Sequence, residues 1–122
     1  MKLIGSKIEN EFRIQLLSSN RGLNSHESLL GNILRKNGYI TQNSFVLNWT
    51  PEQGEDLYTV LINGEYIIYT EIVRDSQEML SPIKKANLKD YLKGLKKRDQ
   101  LKFFVAQDLA KKNKLDILIG NK

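Results

Sequence analysis

Cysteine is absent from this sequence, and two other residue types are scarce, with two prolines and one histidine among 122 residues. Without cysteine the chain has no disulfide framework, no thiol nucleophile and no thiolate ligand for zinc or an iron–sulfur cluster. No apolar run approaches the roughly 20 residues that a membrane-spanning helix needs. We therefore expect a cytoplasmic protein that does not associate with membranes.

The residues that are present favour one folded domain. Hydrophobic residues make up 40% of the chain and charged residues 27%, a balance typical of a chain with a hydrophobic core. A chain of 122 residues has the usual length of a single domain, so we expect residues 1–122 to form one domain. The net charge of +5 favours a polyanionic partner such as nucleic acid.

Two helices are predicted in the first third of the chain. In residues 3–17 the apolar residues recur every four positions, which is the spacing of one helix face. We expect residues 1–22 to form a helical N-terminal extension and residues 23–119 to form the core. The next apolar stripe predicts a second helix, which begins at Asn24 or Ser25 and ends at the following Asn-Gly pair.

Three antiparallel strands are predicted next. Residues 40–49 alternate as a strand does, and two further runs, 57–62 and 65–73, are rich in Tyr, Ile, Val and Thr. These two runs meet at Asn63-Gly64, which is the strongest short-range signal for a hairpin. Because both faces of the last run are largely apolar, we expect it to be a central strand that is covered on both sides.

The last third of the sequence predicts alternating helices and strands. Ser81-Pro82 has the chemistry of a helix start, and a lysine-rich helical stripe follows it. Residues 101–106 are predicted as a buried strand, 108–114 as a short helix and 115–119 as a last strand. The full order is α-α-β-β-β-α-β-α-β, which indicates a mixed α/β domain with a layered sheet.

Two carboxylates stand out in the predicted hairpin. Asp56 begins its first strand and Glu71 lies near the end of its second, each seven residues from the nearer residue of the turn. This count predicts that the two are cross-strand neighbours. Adjacent carboxylates repel each other unless they share a proton or a cation. Mg²⁺ or Mn²⁺ would relieve the repulsion and would activate water for attack on a phosphodiester.

With these acids and this element order, residues 25–119 resemble the PD-(D/E)XK nuclease superfamily, in particular its small Holliday-junction resolvase-like members. The resemblance implies a restriction-endonuclease-like α/β fold and a homodimeric endonuclease that uses Mg²⁺ or Mn²⁺ to cleave DNA, including branched DNA. Asp56 matches the aspartate of the hairpin, Glu71 matches the acidic residue of the (D/E)XK element, and Glu27 matches the acidic residue of the helix. The resemblance thus assigns all three as metal ligands and catalytic residues.

One position departs from the family's pattern in a way that bears on catalysis. The family has a lysine two residues after the glutamate, and this chain has Val73 there; Glu55 also stands where the family has proline. Valine carries no charge and no exchangeable proton, so it cannot activate water. A lysine from the next segment, Lys84, Lys85 or Lys89, would have to replace it, and we assign Lys85 to this catalytic role.

Positive charge is concentrated in one segment of the sequence. Residues 84–102 hold eight basic residues but only two acidic ones, Asp90 and Asp99. This asymmetry predicts a track for nucleic-acid phosphates, with DNA favoured over RNA, although the solvated side of an amphipathic helix has the same composition. The predicted phosphate contacts are Lys84, Lys89, Lys93, Lys96 and Lys97.

Structural alternatives exist for several of these residues. Glu27 lies three residues after Asn24 and would serve as a carboxylate in a first helical turn, and Asp56 would simply end a loop. Trp49 and Tyr58 are expected to be packing residues. The missing motif lysine leaves open a second function: a catalytically inactive protein of the nuclease fold that binds DNA or another protein, as an immunity protein or inhibitor does.

Overall fold

The chain begins with two helices, α1 (Lys7–Leu23) and α2 (Leu29–Lys36), in the computed structural model, which describes residues 2–76, 78–79 and 82–118. A capping box starts α1, since the Ser6 hydroxyl accepts a hydrogen bond from the Glu9 N–H and the Glu9 carboxylate accepts one from the Ser6 N–H. The helix begins and ends later than predicted. It also contributes Phe12 and Leu16 to the main core, so α1 packs against the rest of the domain.

The start of α2 differs from the prediction. Ser28 is its N-cap, because the Ser28 hydroxyl accepts a hydrogen bond of 2.9 Å from the Gly31 N–H. The predicted caps Asn24 and Ser25 are wrong, because Asn24 closes the end of α1 instead. Glu27 therefore precedes α2 and does not stabilise its first turn.

A five-stranded antiparallel sheet forms the centre of the domain, and it contains the three strands predicted from the sequence. The order is β1-β2-β3-β4, and β5 pairs with β3 along the same edge as β4. The strands are β1 (Phe45–Pro51), β2 (Glu55–Ile62), β3 (Tyr66–Val73), β4 (Glu78–Met79) and β5 (Lys84–Ala86). As expected, β3 is central, since it pairs on both of its edges.

The C-terminal part of the domain is helical. It forms α3 (Leu88–Leu92) and the long helix α4 (Lys97–Leu118). The predicted helix start at Ser81 lies outside the described residues, and β5 occupies part of the predicted helix. The predicted strands at 101–106 and 115–119 are wrong as far as residue 118, because α4 runs through both; Ile119 is not among the described residues. Within the described residues no helix is long and apolar enough to cross a membrane.

The sheet packs helices on both of its faces, and each face has its own cluster of buried residues. Side chains alternate between the faces along each strand. The α4 face packs against α1 and α4, and it includes Leu57, Leu61, Ile67 and Glu71; the α2 face packs against α2, and it includes Asp56, Val60, Ile68 and Ile72. Each face is covered over only part of its area, which leaves the outer ends of β1, β2 and β3 accessible.

Asn43, just before β1, joins three parts of the fold. Its side chain is 1% exposed, and its amide nitrogen donates to the Ala110 carbonyl at 2.9 Å and to the Asn63 side-chain oxygen at 3.2 Å. Its amide oxygen accepts from Asn113 at 2.8 Å. This buried and satisfied amide ties β1 and the hairpin turn to α4.

Candidate functional site: a polar cleft beside a basic surface

The hairpin turn determines which residues can meet on the sheet. Asn63 and Gly64 have φ values of 54° and 71°, as a type I′ turn requires, and the Glu65 N–H donates to the Ile62 carbonyl at 2.9 Å. Ile62 then pairs with Tyr66 rather than with Glu65. Glu65 is thus one extra residue on the β3 side, and it shifts the register by one position.

This shift separates the two predicted metal ligands of the hairpin. Asp56 lies opposite Ile72, and Glu71 lies opposite Leu57. Directly opposed residues share a face and successive residues alternate, so Asp56 is on the α2 face and Glu71 is on the α4 face. The prediction that the two carboxylates are cross-strand neighbours is wrong, and together they do not form a ligand pair for Mg²⁺ or Mn²⁺.

Asp56 is occupied by contacts within the protein. Its side chain is 15% exposed, and its Oδ1 accepts a hydrogen bond of 3.1 Å from the Trp49 indole nitrogen. The Nε atom of Arg74 lies 3.6 Å from the same oxygen. Arg74 also donates to the carbonyl oxygens of Glu52 and Glu55. Arg74 therefore holds the β1–β2 loop to the end of β3, and Asp56 joins Arg74 to Trp49 on β1. These contacts favour a structural role for Asp56.

The other predicted acid, Glu27, lies in the turn between α1 and α2, and it is exposed. Its N–H donates to the Ser25 hydroxyl at 3.2 Å. His26 beside it is also exposed, and its carbonyl accepts from Asn32. Across the described ranges, no three His, Cys, Asp or Glu side chains come together as a metal site would need.

Glu71 has a different environment from that of Asp56, since it lines an open cleft. We call this feature the sheet cleft: a hollow of about 350 Å³ on the uncovered part of the α4 face. A smaller hollow of about 170 Å³ adjoins it, and Asn48 and Thr59 line both. The side chains that line the two hollows include Asn48, Thr50, Leu57, Thr59, Tyr69, Glu71, Lys84, Tyr91, Leu95, Asp99 and Lys102.

Of the two neighbouring lysines in β5, only one lies in this cleft. Lys84 pairs with Tyr69 and is on the α4 face with Glu71. Lys85 pairs with Ile68, so it is on the α2 face, where its ammonium group lies 4.0 Å from the centre of the Tyr66 ring. The lysine that we assigned to catalysis from the sequence therefore lies on the face opposite Glu71.

Burial shifts the pKa of two groups in the smaller hollow. Burial, with smaller contributions from Tyr69 and Asp99, raises the pKa of Tyr91 to about 12, so this phenol stays protonated at neutral pH. Burial also lowers the pKa of Lys102, and the nearby Asp99 carboxylate partly opposes that change. The hollow thus presents a neutral hydroxyl beside a half-buried amine.

Next to the sheet cleft, α3, the α3–α4 turn and the first turns of α4 form what we call the basic surface. It consists of Lys89, Lys93, Lys96, Lys97, Arg98 and Lys102. All of these except Lys102 are exposed. Asp90 lies 3.6 Å from the Lys93 ammonium, with both side chains more than half exposed, so this pair neutralises little of the local field. Lys102 also lines the smaller hollow and so connects that hollow to the basic surface.

A larger hollow, of about 480 Å³, lies between the hairpin turn and the middle of α4. Two of its three charged lining residues form ion pairs within the protein: Asp108 lies 2.9 Å from Arg13 and 3.1 Å from Lys112, and Lys114 lies 3.5 Å from Glu65. None of the residues predicted as functional lines it. The sheet cleft and the basic surface therefore form the better candidate site.

Sequence reasoning missed the polar wall of this cleft, which includes Asn48, Thr59 and Tyr69. Tyr69 and Glu71 are two residues apart on one strand, so the sequence does indicate that they share a face. The residues that face them from β1 and β2 depend on the strand register, which the sequence did not reveal.

No known protein family matches this chain, and no curated protein or solved structure is significantly similar to it.

Proposed function

We propose that this protein binds nucleic acid through the basic surface. The observation that carries the proposal is the grouping of six basic side chains on α3, the α3–α4 turn and the start of α4, beside only Asp90 and Asp99. Taken with Lys84 and Lys85, this segment has more positive charge than the net +5 of the whole chain. The remaining residues are therefore close to neutral overall, so the charge that favours a polyanion is local.

Phosphate binding is the chemistry that suits such a surface. Exposed ammonium and guanidinium groups displace the counterions condensed on a nucleic-acid backbone, and the entropy of their release contributes much of the affinity. Because Lys96 and Lys97 lie in and beside the turn before α4, their side chains reach solvent freely. The surface would bind the backbone with little dependence on base sequence.

The test is fluorescence anisotropy with a labelled DNA oligonucleotide at several salt concentrations. The variant Lys96→Gln with Lys97→Gln removes two charges from the basic surface. The matched control, Lys36→Gln with Lys111→Gln, removes the same charge from α2 and from the far half of α4. We expect the first variant alone to weaken binding and to reduce the slope of log affinity against log salt by about 1.5, the value for two lost phosphate contacts.

Equal weakening in both variants would show that only net charge matters, and it would contradict the proposed surface. Weak binding that varies little with salt would instead favour the interaction with a protein partner that the sequence left open. An RNA oligonucleotide of the same sequence, measured alongside, tests the predicted preference for DNA.

Metal-dependent DNA cleavage stays a prediction from the sequence, and one observation is in its favour: Glu71 and Lys84 line the same cleft. The β2–β3 register weighs against the predicted centre, since Asp56 lies on the other face. Plasmid and branched-DNA cleavage with Mg²⁺ or Mn²⁺ would test it. Cleavage that is lost in both Asp56→Ala and Glu71→Ala, with folding preserved, would favour the nuclease over a binding protein.

A further inference from the structure

We infer that the sheet cleft receives an unpaired nucleotide, so that the protein prefers single-stranded nucleic acid to a duplex. This inference rests on the proposed function, because the basic surface would bind the adjoining phosphates. The two hollows, of about 350 Å³ and about 170 Å³, adjoin at Asn48 and Thr59, and together we call them the trough. The larger hollow is within the range of sites that take small organic ligands.

The chemistry of the trough suits a nucleotide better than it suits a row of phosphates. Lysines stand in both hollows, with Lys84 in the larger and Lys102 in the smaller, but each hollow also contains a carboxylate, Glu71 and Asp99 respectively. A carboxylate repels a phosphate and accepts hydrogen bonds from the amino groups of a base. A ligand that combines an anionic phosphate with a neutral, hydrogen-bonding base satisfies both kinds of group.

An aromatic side chain is available for the base. Tyr69 lines the larger hollow and is 37% exposed, so part of its side chain is open to the cleft. Single-stranded nucleic acids bind many proteins by stacking their bases on such side chains. Asn48, whose amide donates to the Thr50 hydroxyl at 3.2 Å, is exposed on the same face, with Thr59 between it and Tyr69. It offers polar atoms to a base edge. In a duplex the base faces are stacked and cannot reach Tyr69.

The trough continues directly onto the basic surface. Lys102 lines the smaller hollow and lies on the same helix as Lys97 and Arg98, one to two turns away. A strand with one nucleotide in the cleft would therefore leave it over the first turns of α4, where its backbone would meet exposed positive charge. Cleft and surface would act as one site, with the surface supplying affinity and the cleft supplying the preference for single strands.

The experiment compares one labelled 12-nucleotide DNA strand, chosen without self-complementarity, with its duplex, at one salt concentration. We expect the wild type to bind the single strand about tenfold more tightly or better. Tyr69→Ala should weaken single-strand binding about 5- to 150-fold, the range for one lost stacking contact, and should leave duplex binding unchanged. Tyr69→Phe keeps the ring and should bind like the wild type.

Trp49→Ala is the matched control. Trp49 is an aromatic residue of the same sheet and is 57% exposed, but it lies on β1 and on the α2 face, away from the cleft. It should leave both affinities unchanged, and circular dichroism would verify the fold of every variant. The inference would be overturned if the wild type bound single strand and duplex equally, or if Tyr69→Ala bound the single strand as tightly as the wild type does. In either case, duplex binding would still support the proposed function. If neither oligonucleotide binds, the proposed function fails as well.

Discussion

Asp56 shows at the scale of one residue how contacts decide between a functional and a structural role. Its carboxylate accepts the Trp49 indole N–H and faces the Arg74 guanidinium. We expect Asp56→Ala to lower the free energy of unfolding by about 1–2 kcal/mol, because a hydrogen bond to a charged group is lost but Arg74 stays partly solvated. Urea denaturation followed by circular dichroism would measure the change.

Glu71→Ala is the comparison for that measurement, because Glu71 is half-buried in an open cleft and forms no ion pair with any other described residue. We expect its unfolding free energy to stay within about 0.5 kcal/mol of the wild-type value. Similar losses in both variants would mean that the two carboxylates have equivalent structural roles, contrary to their different surroundings.

Glu9 makes the stability of the protein sensitive to acid. The hydrogen bond from the Ser6 hydroxyl, at 2.7 Å, and those from the backbone N–H groups of Ser6, Gly5 and Ile4 lower the pKa of the Glu9 carboxyl from its ordinary value of 4.5. The unfolded chain thus binds a proton more readily than the folded one. The resulting stability is present above pH 4.5 and is lost as the pH falls through the lowered pKa.

Glu9→Gln should therefore flatten the fall in unfolding free energy between about pH 5 and pH 3, because glutamine cannot be protonated in this range. Thermal melting of both proteins across this range would measure the effect. The difference between them isolates Glu9 from other acids, such as Asp108. Parallel pH profiles for wild type and variant would contradict the assigned role.

At the scale of the element, the β2–β3 hairpin depends on one glycine. Gly64 has a φ of 71°, and a Cβ atom at this position would lie 3.0 Å from the Cβ of Ala110 on α4. We expect Gly64→Ala to cost about 1–2 kcal/mol of unfolding free energy, mainly because the left-handed backbone disfavours a side chain. Chemical denaturation would measure the loss.

Gly22 in α1 supplies the opposite control. A Cβ atom there would meet nothing within 4 Å, and the backbone of this residue is helical. Gly22→Ala should therefore stabilise the protein by up to about 1 kcal/mol, since alanine has the higher helix propensity. Destabilisation by both variants would indicate that the loss at Gly64 is not specific to the turn.

The sequence predicted the hairpin but only residues 108–114 of α4, and the difference has a physical cause. Asn63-Gly64 selects one turn type by its backbone conformation alone. The run at 101–106 is apolar on several sides because α4 packs against both α1 and the sheet. It therefore lacks the hydrophobic periodicity that would distinguish a buried helix from a buried strand. Asp108, the first residue of the predicted helix 108–114, lies instead in the middle of α4, where it pairs with Arg13 and Lys112.

At the scale of the whole molecule, the sequence indicated which residues are charged but not which of them meet. The basic segment is visible in the composition of residues 84–102 because neighbours on adjoining short elements stay close in space. The polar cleft is not visible, because its walls come from β1, β2, β3, β5, α3 and α4. One extra residue, Glu65, changes which side chains share a face, and no local pattern reveals that shift.

The β2–β3 register leads to a prediction about metal ions for the intact protein. Asp56 and Glu71 are separated by the thickness of the sheet, so one ion cannot bind both. An ion at about 100 times its Kd would stabilise the folded state by about 2.7 kcal/mol, which is enough to raise the melting temperature by several degrees. We expect no such rise from an ion that both carboxylates bind, so wild type and Asp56→Ala should show the same shift with Mn²⁺ or Mg²⁺ and the same response to EDTA, as measured by thermal melting and by calorimetric titration. Stabilisation by Mn²⁺ that disappears in both Asp56→Ala and Glu71→Ala would contradict this, because only a shared ion couples the two carboxylates.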